Sequence, residues 1–166
     1  DSQRRGLLAI QCCGELLLAL INDILDMSKI AAGRMTIQPA PFDLTALLSE
    51  VELLFRQGSH DRGLNLSVQA VGLPPAVKGD AMKVRQVLIN LIGNAVKFTD
   101  SGRVEMRVAP LADGRIRFSV MDTGVGIAPD ALSQLFEPFQ QIASGTRAQE
   151  GTGLGLALSR QFVRLM

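Results

Sequence analysis

The run Leu88 to Gly102, LINLIGNAVKFTDSG, constrains the fold of this chain more than any other stretch. Its apolar spacing reads as a helix, and a helix places residues four apart on one face. Asn90 and Asn94 therefore point together while Leu88, Leu91, Ile92, Ala95 and Val96 face elsewhere. A buried amide is costly unless it is partnered. Either something polar sits opposite the pair, or the two are core asparagines satisfied by backbone, or one of them serves as a cap. The segment alone leaves these readings open.

The neighbouring patterns say what surrounds that helix. From Leu7 to about Ala31, apolar residues recur at spacings of three and four (Leu7, Ile10, Leu17, Ile21, Ile24), as in a long bundle-type helix that ends at Gly33. The stretch RMTIQPAPFD then reads as a short extended piece broken by Pro39 and Pro41, and a domain boundary is placed there. This divides the chain into 1–33, a linker over 34–42, and a domain over 43–166. Asp43 can cap a helix running to about Phe55, followed by the alternating strand LNLSVQA, a Pro74-Pro75 loop, and the asparagine helix from Ala81 to Lys97 with Asp80 as its cap. GRVEMRVAP and GRIRFSVMD alternate on either side of Asp113-Gly114 and predict an antiparallel hairpin. A short helix at Asp130 to Phe136, a polar segment, and a last helix from near Gly153 complete the chain. Helices and mostly antiparallel strands mix without strict alternation, so the class is α+β, with helices over one face of a sheet.

Composition removes several functions. At 166 residues the chain can bury one proper core. Seventeen basic against sixteen acidic residues leave +1, so no global field argues for nucleic acid or for an anionic membrane, and any polyanion must be held locally. Cys12 and Cys13 are adjacent and cannot form an ordinary bridge with each other, four-ligand metal spacing is absent, and a reducing cytoplasm is the natural setting. The longest early apolar run, LLLALI, falls far short of a membrane span.

Three further features follow the asparagine helix. DTGVGI sits at the end of a predicted strand, where Asp122 projects from the tip and the glycines let backbone approach a bound group. A buried carboxylate there only accepts hydrogen bonds, so it suits the exocyclic amine of adenine and repels the carbonyl of guanine. GTGLGLALSR opens a helix with glycines and offers N–H groups and the positive end of the dipole to an anion. Between Pro138 and Gly151 lies a polar segment containing Arg147, long enough for a lid. Taken singly, these are also a plain turn, a tight helix contact and a solvated loop. Taken together, each supplies a different part of one ligand. The Asn94 amide oxygen is a hard, neutral ligand suited to Mg²⁺, with Asn90 one turn earlier facing the same ion. Lys97 can reach phosphates on its long stem, or be a surface lysine near a helix C-terminus.

NLIGNAVKFTDSG, DTGVGI, LFEPFQQ and GTGLGLALSR resemble, in order and spacing, the N, G1, F and G2 boxes of sensor histidine kinases. GELLLALINDILDMSKIAAGRM with PFDL resembles the second helix of the family's dimerisation and phosphoacceptor hairpin and its link to the ATP domain, most closely in hybrid-type kinases. The resemblance implies a two-layer α/β sandwich of the Bergerat ATP-binding type, shared with gyrases, mismatch-repair ATPases and a heat-shock chaperone, preceded by one long helix. It implies transfer of the ATP γ-phosphoryl group to a histidine and thence to a receiver aspartate, with ATP and Mg²⁺ as cofactors. Implied partners are a second copy, through the helical hairpin of the full-length protein, and a response-regulator receiver domain. Neither nucleic acid nor membrane contact is implied for this part, and a cytoplasmic location is expected whether or not the parent is membrane-anchored. Carried over residue by residue, Asn90, Asn94 and Lys97 serve magnesium and phosphates, with Asn90 and Lys97 closest to the chemistry. Asp122 takes the adenine amine, and Gly124, Gly126 and Ile127 form the base pocket. Phe136 and Phe139 anchor the lid, while Gly151, Thr152, Gly153, Leu154 and Gly155 close over the phosphates.

Two departures qualify the resemblance. The family's acceptor histidine belongs to the first helix of the hairpin, and this chain begins after it, so the chain alone is not expected to phosphorylate itself. It also stops at Met166, where the family continues into further strands, and an incomplete sheet edge is expected. In the hydrolytic relatives a glutamate at the position of Asn90 polarises water. Here no carboxylate occurs between Ala81 and Phe98, which favours a kinase over a GHKL-type ATPase. The remaining alternative is a non-catalytic, ATP-responsive interaction module.

Overall fold

The computed structural model describes residues 2–141 and 151–166. The first helix, α1, spans Ser2–Ala31. It stops where the chain turns left-handed at Gly33 (φ 64°), whose N–H bonds to the Ile30 carbonyl while that of Arg34 bonds to the Lys29 carbonyl. That pair of bonds is the Schellman closure, which a glycine at this position makes inexpensive. Strand β1 covers Ala40–Phe42, helix α2 Leu44–Asp61, strand β2 Leu64–Ala70, strand β3 Val77–Gly79 and helix α3 Ala81–Phe98. The hairpin strands are β4, Gly102–Pro110, and β5, Ile116–Asp122. A 3₁₀ turn at Pro129–Gln134 and helix α4, Gly155–Leu165, follow.

Both expected caps form. Asp43 accepts the Ala46 N–H at 2.9 Å, and Asp80 accepts the Lys83 N–H at 3.1 Å. Helix α2, however, continues one and a half turns beyond Phe55. Gln57 bonds Asp61 and Arg56 pairs with Glu52 at helical spacing, so the polar run RQGSHD stays helical and the chain turns left-handed only at Gly63 (φ 68°). His60 therefore lies in the last turn of a helix.

The strands form two sheets, not one. β1 pairs antiparallel with β3, Pro41 standing opposite Lys78, so the proline-flanked piece is a short strand of a two-stranded ribbon that tolerates the missing N–H. β2, β4 and β5 form the second sheet in that order. β4–β5 is the expected antiparallel hairpin, but β2–β4 is parallel, because α3 carries the chain back across the sheet between them. Alternation on β4 puts Val104, Met106 and Val108 against the apolar faces of α2 (Leu44, Leu47, Leu48, Val51) and α3 (Leu88, Ile92, Ala95, Val96), all of them buried. This is the two-layer α/β sandwich with one long helix preceding it.

A second, smaller core fixes α4. Val87, Leu154, Leu158 and Phe162 are buried together, and Leu20, Met27 and Ile30 of α1 pack onto them. Lys83 on α3 reaches Asp26 on α1 at 2.9 Å and lies 4.3 Å from the centre of the Phe162 ring. The face of α1 carrying Leu7, Ile10 and Leu17 is exposed. Among the described residues, no helix is long and apolar enough to cross a membrane.

Candidate functional site

Helix α3 forms the floor of the site. Its buried face is apolar, and its other face carries Asn90, Asn94 and Lys97 into a cavity of about 610 Å³. The helix start is pinned twice by the buried Asp80, which caps Lys83 and also accepts the Gln38 N–H at 3.0 Å. The two amides lie in the same cavity and touch one another. Asn94 Nδ2 is 3.5 Å from Asn90 Oδ1, and Asn90 Nδ2 donates to Ser159 Oγ on α4 at 2.9 Å. Both amides thus line the cavity, Asn90 bonding a side chain on α4 and Asn94 contacting Asn90.

The tip of β5 forms one wall. Asp122 lines the cavity and is exposed, not buried as the sequence led us to expect, because it is the last residue of its strand and stands at the cavity mouth. Its Oδ1 accepts the Gly124 N–H at 2.9 Å, which fixes the carboxylate's orientation. Gly126 (φ 69°) and Ile127 also line the cavity. Gly124 does not. A Cβ on it would lie 2.3 Å from the Phe98 carbonyl oxygen, so its missing side chain lets the turn rest on the end of α3. The turn is further held there by Val125 N–H to that same carbonyl.

The glycine-rich entry to α4 closes the opposite side. Gly151, Thr152, Gly153 and Gly155 line the cavity, and a Cβ on Gly151 would come within 3.6 Å of Lys97 Nζ. Gly155 opens α4, which has no side-chain cap among the described residues, so its first-turn N–H groups and dipole face the cavity end. Leu154 does not line the wall. It is fully buried in the smaller core, although Thr152 and Leu156 on either side of it line the cavity. Phe136 and Phe139 also lie off the wall: Phe136 stacks under the Arg160 guanidinium at 5.3 Å, and Phe139 is exposed with a left-handed φ of 63°. Its N–H reaches the Gly153 carbonyl at 3.0 Å, tying the segment before the expected lid to the glycine entry. The lid itself, with Arg147, lies outside the described residues apart from its ends.

Sequence reasoning passed over the apolar walls and one acid. Leu91, Ala95, Phe98, Val120, Val125 and Leu135 give the cavity the mixed lining suited to a flat heterocycle with polar groups at its edges. Asp23 of α1 also reaches it. Burial, and then the neighbouring Asp26, raise the Asp23 carboxyl above the ordinary carboxylate range. The signal was available, since Asp23 shares a helix face with Leu20, Met27 and Ile30, the residues that pack α1 onto the domain. Among the described residues, no cluster of three or more histidine, cysteine or acidic side chains could hold a metal.

A family model described as "Histidine kinase-, DNA gyrase B-, and HSP90-like ATPase" matches residues 79–166. The chain is 39% identical to the signal transduction histidine-protein kinase BarA of Escherichia coli, over 99% of this chain and 19% of that protein. It is 43% identical to the circadian input-output histidine kinase CikA of Synechococcus elongatus, over 99% of this chain and 22% of that one. It thus spans about a fifth of the length of these curated relatives. Among solved structures it resembles full-length ShkA in complex with AMPPNP, with a TM-score of 0.84 and 36% identity over 100% of this chain and 34% of that one.

Proposed function

Because the chain belongs to the family of histidine kinase-, DNA gyrase B- and HSP90-like ATPases, we propose that it is the phosphoryl donor of a two-component histidine kinase, binding ATP and presenting its γ-phosphoryl group to a histidine for relay to a receiver aspartate. The observation that carries this reading is the convergence on one cavity of two amides and a lysine from α3, an acceptor-only carboxylate at the tip of β5, and the glycine-rich start of α4. A nucleoside triphosphate needs each of these: an acceptor for the base amine, apolar walls for the ring, and N–H groups with a cation for the phosphates.

The donor set fits a magnesium ion that arrives with the nucleotide. Carboxamide oxygens are hard ligands, suited to an ion that keeps its waters and phosphate oxygens. Asn94 and Asn90 would hold it, and when bound it neutralises phosphate charge. Lys97 contributes a positive charge on a long stem beside Gly151. Neither amide can take up a proton near neutral pH, so the attacking nucleophile brings its own activation, as a histidine does.

Residues 1–33 are assigned to the second helix of a dimerisation hairpin, 34–42 to a linker and 43–166 to the catalytic domain. The exposed Leu7, Ile10 and Leu17 support pairing of α1 in a homodimer, while the β1–β3 ribbon ties the end of the linker to the domain. The same kinship supports a receiver-domain partner, and a cytoplasmic setting is proposed with it. One observation favours a second reading, slow ATP hydrolysis: Asp23 brings to the cavity the carboxylate that α3 lacks. Phosphate release that vanishes in Asp23→Asn would support it.

The test of the main reading is calorimetric titration with ATP and GTP. We expect clear preference for ATP and a loss of roughly tenfold or more in Asp122→Asn, the scale of one charge-assisted hydrogen bond. Equal affinity for the two nucleotides in the unmodified chain would sink the adenine assignment.

A further inference from the structure

Ser159 lies on α4 one turn after Gly155, among Leu158 and Phe162, and is almost fully buried. A hydroxyl in such a setting needs a partner, and it has one outside its own helix: it accepts from Asn90 Nδ2 at 2.9 Å. The other end of the Asn90 amide is defined as well. Its Oδ1 lies in the space that a side chain at Gly155 would fill, 2.2 Å from where a Cβ would stand, and within 3.5 Å of Asn94 Nδ2. Two residues of α4, four apart and so on one face, thus border one amide of α3: Ser159 bonds its nitrogen and Gly155 leaves room for its oxygen.

This contact has chemical content because an amide has two opposite ends of nearly equal size. Only the oxygen can serve a cation, and the amide torsion is broad and nearly two-fold, so an unanchored asparagine presents either end. With its nitrogen engaged by Ser159, Asn90 directs its oxygen toward Asn94. Asn94 answers with its nitrogen, which turns its own oxygen away from Asn90. The order of the chain, Ser159 Oγ to Asn90 to Asn94, fixes the polarity of both amides.

We propose that Ser159 is a positioning residue that holds the Asn90 amide, and through it Asn94, with oxygens presented for a cation carried by the bound phosphates. This rests on the reading of Asn90 and Asn94 as nucleotide-facing residues. Ser159 itself does not line the cavity.

Two measurements on the whole chain test it. In the ¹⁵N-labelled protein without nucleotide, the Asn90 side-chain NH₂ protons should exchange slowly with water, and Ser159→Ala should release them. In titrations with ATP, the gain in affinity on adding Mg²⁺ over EDTA should shrink roughly fivefold in Ser159→Ala, the scale of one hydrogen bond. Affinity in EDTA should stay the same. In an Asn90→Ala background, Ser159→Ala should change neither number further. Unaltered Asn90 NH₂ exchange in Ser159→Ala overturns the proposal, as does an equal loss of affinity with and without Mg²⁺, which would mark ordinary packing. If the unmodified chain gains nothing from Mg²⁺, the reading of the asparagines fails and the proposal with it. Slow Asn90 exchange in that same chain would show that the failure lies in that reading and not in the Ser159 contact.

Discussion

Replacing each glycine of the DTGVG turn by alanine should separate two roles that look identical in sequence. At Gly124 the new Cβ would stand 2.3 Å from the Phe98 carbonyl oxygen, 2.9 Å from its carbon and 2.9 Å from Asp122 Oδ1. The first two atoms are backbone at the end of α3, where Arg62 bonds the neighbouring Val96 and Thr99 carbonyls, so they cannot swing aside. Overpacking of this kind costs about 1–3 kcal/mol. The Gly124 N–H bond to Asp122 is exposed and adds little, and the narrower unfolded ensemble of alanine offsets about 0.4–1 kcal/mol. A clash this close with backbone falls at the upper end of that cost, and the net loss of roughly 2 kcal/mol lowers the melting temperature of a domain this size by about 4–8 °C. At Gly126 nothing lies within 4 Å of the added carbon, and only the left-handed φ of 69° opposes it, at about 1–2 kcal/mol less the same offset. Gly126→Ala should therefore melt within about 4 °C of the unmodified chain, yet bind ATP more weakly, since its new methyl enters the cavity wall. Thermal unfolding without nucleotide, followed by ATP titration of both variants, gives the comparison. If Gly124→Ala melts within a degree of the unmodified chain, or Gly126→Ala is the less stable of the two, the assignment of these glycines is refuted.

Asn94→Ala should lose mainly the magnesium-dependent part of ATP affinity while its unfolding without nucleotide changes little; a collapse of stability would instead make the asparagine a core residue. Asp23 has its carboxyl raised by burial first and by Asp26 second, so the folded chain holds that proton more tightly than the unfolded one. Stability should then fall as pH rises from the ordinary carboxylate value through the raised one, and Asp23→Asn should flatten that part of a melting-temperature profile; an unchanged slope refutes the assignment. His60, the single histidine, sits exposed in the last turn of α2 with Asp61 3.8 Å away and lies off the cavity, so γ-labelled ATP should leave no acid-labile label on this chain. Label that appears and is lost in His60→Gln would reverse that expectation.

What was legible in the fold is what local chemistry decides. Asp43 and Asp80 announced helix starts because a cap needs only the three residues that follow it. The alternation through Val104, Met106 and Val108 announced a half-buried strand for the same reason. Pairing is not local. Nothing in LNLSVQA says that it lies parallel to GRVEMRVAP, since that depends on α3 crossing between them. β1 and β3 are three residues each, flanked or interrupted by proline, too short for any period to show. The end of α2 lies beyond the expected Phe55 because the polar residues that follow still pair at helical spacing and the chain turns left-handed only at Gly63.

The candidate site divides along the same line. Asn90, Asn94, Lys97 and Asp122 could be read because each projects from a regular element whose geometry sets its direction. The glycines could be read as points of close approach, but the partner being approached is a tertiary fact: the end of α3 for Gly124, the segment after Phe139 for Gly153, the Asn90 amide for Gly155. Leu154 shows the cost of assigning a motif as a block, for Thr152 and Leu156 line the cavity while the leucine between them belongs to the core. Asp23 and Ser159 had no motif to mark them. They join the cavity wall and the amide pair because the smaller core docks α1 and α4 against α3. The packing that holds α4 in place therefore also sets the orientation of the amides, so a substitution at Phe162 or Leu158 should reach the nucleotide site through Ser159 without touching the ligand.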